Sequence, residues 1–285
     1  MDPAITILIP VRNGEDFLAE AIESVIAQTY PDWTMLIRDN CSEDGTRRVA
    51  ARYLSDPRIR LIVGDSSLSM AGNFNRCLNE VRTKYYMVLC HDDYLCSPHA
   101  IAAAHDVMEA NECLPTVYCD LIYVDRARSP IATRHFGYSG FTNCAVLARS
   151  SILRMRNSFG IPALARTAAL GQLRYDETLP YVIDLDLSIA TAKGGQVYHI
   201  PEVLIANRYH TKNHTGVLLG GVCRQMRALA QRHGIPLSPS DRVMMRLSAL
   251  YTSVAKQAFL LYAKHVKNRP LGPFRRNVHN ADATR

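Results

Sequence analysis

Long apolar runs are missing from this chain. No stretch of its 285 residues approaches the roughly 18 that a membrane-spanning helix needs. The opening MDPAITILIP also lacks the charged start and small-residue cleavage site of a secretory signal, so a cytoplasmic location is expected. No C-x-x-C pair and no Cys/His spacing of a zinc site occurs among the eight cysteines at 41, 77, 90, 96, 113, 119, 144 and 223, which read as mostly buried free thiols. No G-x-G-x-x-G follows the first strand and no G-x-x-x-x-G-K-[ST] occurs anywhere, which removes the glycine-loop ways of holding a dinucleotide or a nucleoside triphosphate. Internal repeats and low-complexity tracts are absent too.

The net charge of +7 sits in one place. Residues 241–285 hold nine Lys/Arg and two Asp/Glu, leaving 24 basic and 24 acidic residues in 1–240. A neutral body with a basic tail and no aromatic-rich binding motif argues against nucleic acid and for attraction to an anionic surface.

The 48% hydrophobic content supports a substantial core and an ordinary globular domain. ITILI (5–9), TMLIR (34–38), RLIV (60–63), YYMVLC (85–90) and VYHI (197–200) are short, several are rich in β-branched or aromatic residues, and turn formers flank them; they predict strands. Apolar residues recurring every three or four positions predict helices near 17–28, 44–54, 71–82 and 184–193. Strand alternating with helix means an α/β fold with a mostly parallel central sheet. The mixed segment 157–173 predicts a long loop, a lid or acceptor-binding element. Residues 240–267 predict a long helix with an apolar stripe of Val243, Leu247, Leu250, Val254, Ala258 and Leu261, expected to pack on the catalytic domain or on a second copy of the chain as a homodimer.

Ligands of parallel sheets bind beyond the carboxyl ends of the strands. In VLCHDDYL the acids Asp92 and Asp93 end a buried-looking run, and Asp39 ends TMLIRD in the same way. Acids gathered at one sheet edge repel unless a cation lies between them. Adjacent carboxylates there suit a hard divalent cation, Mg²⁺ or Mn²⁺. The same pair also suits a turn or a helix N-cap ahead of Ser97-Pro98, and spacing alone leaves both open.

The stretch ITILIPVRNGEDFLAEAIESVIAQTYPDWTMLIRDNCSEDGT (5–46) closely resembles the opening of family 2 glycosyltransferases: a strand ending in Pro, then Asn, a helix carrying S-V-x-x-Q-T-Y, and a strand ending in Asp before S-x-D-G-T. The resemblance continues through Asn75 and Leu78 to the acidic pair, resumes at YDETLPYVIDLDLSIATAKGGQVYHIPEVL (175–204) and ends at NRYHTKNHT (207–215), where Asn207 stands in place of an aromatic. It implies a GT-A fold, 1–218, with a nucleotide-sugar half at 1–96, an acceptor half at 97–218 and a helical extension at 219–285. The implied activity is transfer of a sugar from a nucleoside-diphosphate sugar, most commonly UDP-linked, to a glycan or lipid-linked acceptor with inversion at the anomeric carbon, using Mn²⁺ or Mg²⁺.

By the same resemblance Asp93 is a metal ligand and Asp92 contacts the ribose or the metal. Pro10, Val11, Glu15, Asp39 and Asn75 belong to the donor pocket, with Asp39 accepting from a uracil N–H or capping the turn that follows it. Asp184 falls on the Asp of a Glu-Asp pair and is the general base or a helix N-cap, with Asp186 in reserve. His210 approaches the metal or diphosphate, or is structural. Three residues depart from the family pattern: Arg12 for an aromatic, Cys90 for the first Asp of an acidic motif, and Ile183 for the Glu before the base. The last motivates an alternative, a nucleotide-sugar-binding protein without turnover. A nucleotidyltransferase fits less well, because VRNGED (11–16) has one Gly and two acids where such enzymes carry a Gly-rich basic loop. The run NRPLGPFRR (268–276) adds an expected peripheral contact with the inner face of a membrane.

Overall fold

The structure, a computed structural model, describes residues 3–179, 182–209 and 219–265. In chain order the elements are β1 (Ile5–Val11), α1 (Leu18–Ile26), β2 (Trp33–Asp39), α2 (Thr46–Ala51), β3 (Ile59–Val63), α3 (Met70–Leu78), β4 (Tyr85–Val88), β5 (Tyr94–Leu95), α4 (Ala100–Glu109), β6 (Thr116–Val124), β7 (Pro130–Arg134), β8 (Gly140–Asn143), α5 (Cys144–Arg154), β9 (Pro162–Arg166), α6 (Thr167–Leu170), α7 (Ile183–Ala192), β10 (Gln196–Arg208), α8 (Leu219–Arg232) and α9 (Pro239–His265).

One sheet runs through the molecule in the order β3-β2-β1-β4-β9-β6-β10-β5, with β7 on β6 and β8 on β10. The pairs β3/β2, β2/β1, β1/β4 and β6/β10 are parallel. Helices cover both faces, so all seven residues of β1 are buried. Ile5, Ile7, Ile9 and Val11 face α1, whose Leu18, Ala21, Ile22 and Val25 recur at helical spacing; Leu8 faces the other way, into a second core with Tyr118, Phe159, Leu229 and Met245. This is the predicted α/β architecture.

Three expectations need correction. Residues 157–173 do not form a long loop. Pro162–Arg166 is the central strand β9, antiparallel to β4 and β6 through Tyr86↔Ala165 and Thr116↔Ala165. Its Ala-Leu-Ala centre has little strand propensity of its own and is held by neighbours on both sides, with Leu164 wholly buried. The cysteines are not mostly buried: Cys77, Cys119 and Cys144 are, while Cys96 and Cys113 are exposed. The α9 stripe does not pack on the domain, since Val243, Leu247, Leu250 and Val254 are all exposed. The packed face carries Asp241 and Met245 instead, and Arg149 of α5 fixes that rotation by bonding both carboxylate oxygens of Asp241 at 2.9 Å. The basic run 268–276 lies outside the described residues.

β10 is longer than VYHI predicts. It continues through Pro201 to Arg208, because register shifts between Ile200 and Val203 and between Val203 and Ile205 absorb the missing N–H. That continuation carries Asn207 and Arg208 to the acidic pair.

Candidate active site

The loops leaving β1 and β2 are bonded to each other. Asn13 takes φ +53°, a left-handed conformation that Asn tolerates better than most residues. Its N–H donates to Ser42 Oγ at 2.8 Å and its Oδ1 accepts from Glu43 N at 2.9 Å. Gly14 N donates to Thr46 Oγ1 at 2.8 Å, and Glu15 Oε2 accepts from Gly45 N at 2.8 Å. A Cβ on Gly14 would lie 2.5 Å from His91 Cδ2 and 2.6 Å from Val11 Cγ2, so a side chain there would have to push these neighbours aside. Pro10 and Val11 are buried in β1 opposite Arg38 and Asp39 of β2. Asp39 is wholly buried, accepting from Ser42 N at 3.1 Å and Arg47 Nε at 2.7 Å. It therefore caps its turn as the sequence allows. Asn75 closes a longer link, exchanging two hydrogen bonds with the backbone of Tyr175, 2.9 and 2.8 Å.

The acidic pair follows β4 in a turn closed by Asp93 N donating to Cys90 O at 3.0 Å. Asp93 is buried, 5% exposed, and accepts from Asn207 Nδ2 at 3.1 and 3.0 Å and from Arg208 N at 3.0 Å. Burial and then the Asp92 charge push its carboxyl well above the usual range, against the opposing donors. One donor atom from each of Cys90, Asp92 and Asp93 lies within 4.8 Å of the others. Burial and the charges of Asp93, Asp92 and Asp184 push the Cys90 thiol well above its usual range. Two of the three donors are adjacent carboxylates that repel each other, and these residues fit a hard divalent cation. His210, expected to approach it, lies outside the described residues.

Arg208 is the residue that sequence reasoning missed, although it sits inside the NRYHT motif. Its side chain is 1% exposed. Nε donates to Asp92 O at 3.0 Å, Nη1 donates to Arg126 O at 2.9 Å, and Nη2 pairs with Glu20 of α1. Phe17 stacks under the guanidinium, 4.7 Å from the ring centre. A buried Arg with its charge paired and its donors on carbonyls clamps the acidic turn to the first helix. Arg208→Ala leaves Glu20 and those carbonyls without it, and is expected to lower unfolding free energy by about 3 kcal/mol in urea denaturation.

Asp184 stands in the first turn of α7, whose N-cap is Val182, so the capping alternative is not realised. Its carboxylate lines a recess of about 80 Å³ with Asn157, Val182, Leu185 and Met226. Asp184 is exposed at that recess, and partial desolvation by the protein around it raises its pKa to about 6. Asp186 turns away and is bonded to Arg232 Nη1 and His233 Nε2, each at 2.8 Å, which ties α7 to α8. Ile183 is buried in the second core, so the position where the family carries Glu is a packing position here. A larger, shallower recess of about 300 Å³ lies around Asp120, His135 and Tyr138 and includes none of these residues. There the Asp120 carboxylate bonds His135 Nδ1 at 2.6 Å and His199 Nε2 at 2.8 Å.

The chain is 33% identical over 92 residues to Escherichia coli WfgD, a UDP-Glc:alpha-D-GlcNAc-diphosphoundecaprenol beta-1,3-glucosyltransferase, covering 32% of this chain and 36% of WfgD. The aligned stretch spans about a third or less of the length of the first curated relatives it matches. The fold superposes on S. aureus TarS 1–349 in complex with UDP-GlcNAc with TM-score 0.67 at 14% identity, covering 94% of this chain and 76% of that one. It also superposes on the mannosyltransferase PcManGT of Pyrobaculum calidifontis in complex with GDP-Man and Mn²⁺, with TM-score 0.62 at 16% identity, covering 95% and 77%. Such identities show a shared GT-A fold and no more. The profile of glycosyl transferase family 2 matches residues 6–159, more than half of the sequence, and on that match the chain belongs to this family.

Proposed function

We propose that the protein transfers a sugar from a uridine-diphosphate-linked donor to a glycan or lipid-linked acceptor, with inversion at the anomeric carbon. The observation that carries this reading is the clustering of Cys90, Asp92 and Asp93, one ligand atom of each within 4.8 Å of the others, in the turn at the carboxyl end of β4. Residues 1–96 hold the donor, 97–218 face the acceptor, and 219–285 extend the domain. The UDP-GlcNAc complex of TarS supports the donor class, and the printed activity of WfgD supports a lipid-linked acceptor.

The chain's own residues divide the work as follows. Pro10, Val11 and Asp39 shape the base and ribose end of the pocket, at the ends of β1 and β2, and Glu15 braces it. Asp93 and Asp92 would hold a divalent cation, which supplies neutralising charge to the departing diphosphate. Asp184 takes the proton of the acceptor hydroxyl while that oxygen bonds to the anomeric carbon and the bond to the diphosphate breaks. With its pKa at about 6 it is ionised at neutral pH and remains basic enough to take a proton.

A thermal-shift comparison tests the donor site. UDP with Mn²⁺ at about 100 times its dissociation constant is expected to stabilise the protein by about 2.7 kcal/mol, several degrees in Tm, with less effect from UDP or Mn²⁺ alone. GDP and TDP serve as controls for the base. Equal shifts with and without the metal would remove the cation from the reading, and no shift with any nucleotide would remove the donor.

A further inference from the structure

Six of the thirteen exposed large apolar side chains among the described residues lie on one helix. α9 leaves Val243 56%, Leu247 63%, Leu250 63% and Val254 57% exposed, with Met244 and Tyr251 beside them. At about 100° per residue the first four fall within a sector of about 60°, and the other two widen it to about 120°. The opposite face, with Asp241 and Met245, is the one that packs on α5 and α8. We infer that this stripe is a membrane-docking surface, which lies in the headgroup region of an anionic bilayer.

Charge decides the occupant. Exposed Arg242 and Arg246 border the stripe on one side. From 233 to 281 the sequence has eight Lys/Arg and a single acid, Asp241. That acid is buried and spent on Arg149 and Ser238, so it neutralises nothing at the surface. A second copy docked through the stripe would bring two like-charged flanks together. An anionic bilayer instead gives the apolar residues a hydrocarbon boundary and the flank an opposite charge. Among the described residues no helix is long and apolar enough to cross a membrane, so α9 lies on the surface rather than through it. The inference does not depend on the donor or acceptor proposed above.

The test uses the full chain and vesicles of phosphatidylcholine with or without phosphatidylglycerol. The parent is expected to co-sediment with the anionic vesicles at low salt, to be released at high salt, and to ignore phosphatidylcholine alone. Leu247→Glu with Leu250→Glu should weaken partitioning about tenfold or more, and Arg242→Glu with Arg246→Glu should do the same while leaving the stripe intact. Both pairs are exposed, so Tm should not change, which separates loss of binding from loss of fold. The idea is overturned if the parent ignores anionic vesicles, or if the Leu pair binds like the parent, which would place the contact elsewhere in the chain. It is equally overturned if the parent sediments as a dimer that the Leu pair converts to monomers.

Discussion

Asp184→Asn is expected to slow sugar transfer by about a thousandfold with little change in donor binding, the loss that follows removal of a general base. Because desolvation lifts this carboxyl to about 6, kcat/KM of the parent should climb with pH and level off above about 6. The ionised form is the base, so activity is lost as pH falls through that value. Stability runs the other way. The folded state holds this proton more tightly than the unfolded chain, whose carboxyl has the ordinary value of 3.8, so the group's contribution is complete below that value and is lost as pH rises through about 6. The Asn variant should therefore melt higher than the parent at about pH 8 and converge with it in acid. Kinetics with labelled donor across pH, paired with thermal melts, read both effects. A variant as fast as the parent would end the assignment, because Asp186, bonded to Arg232 and His233, is in no position to substitute.

Asp93→Asn is the second large effect. The substitution removes the charge and keeps an oxygen for the Arg208 N–H, while its new NH2 group can donate to Asn207 once that amide turns its oxygen inward. Stabilisation by UDP with Mn²⁺ is expected to vanish and transfer to fall by about 10³-fold, the scale of a lost electrostatic contribution at a leaving group. The protein without ligands is expected to remain folded, since relief of the Asp92–Asp93 repulsion offsets the lost acceptor. Because burial and the Asp92 charge raise the Asp93 pKa, cation binding by the parent is expected to tighten as pH rises, which calorimetry at two pH values should register. A variant that still binds Mn²⁺ with nucleotide as the parent does would relocate the cation.

The parts of the fold that sequence made legible are those in which pattern and position agree. β1, β2, β3 and β4 are near-continuous apolar runs, and the acids that end β2 and β4 stand where a parallel sheet delivers ligands. β9 was illegible because Ala-Leu-Ala becomes a strand only between β4 and β6. The α9 stripe was legible as a stripe but not as an exposed one, since its orientation is set by the distant pair Arg149–Asp241. Within the site, Asp184 and Asp186 are two residues apart and chemically alike. What distinguishes them is that Arg232 at the end of α8 and His233 just after it bring a guanidinium and an imidazole to one, while a recess lies beside the other. Asn75 shows the same limit, because its amide is spent on backbone a hundred residues later in the chain.

The clamp on the acidic turn fixes when the site can exist during synthesis. Asp93 leaves the ribosome long before Asn207 and Arg208, which stand 114 and 115 residues further along. A nascent chain that already contains the whole family-matching portion still lacks the strand that steadies its cation ligands. β10 must first slot between β6 and β5, so competence arrives late and all at once, and a chain interrupted before that strand has the family's opening motifs but no assembled centre.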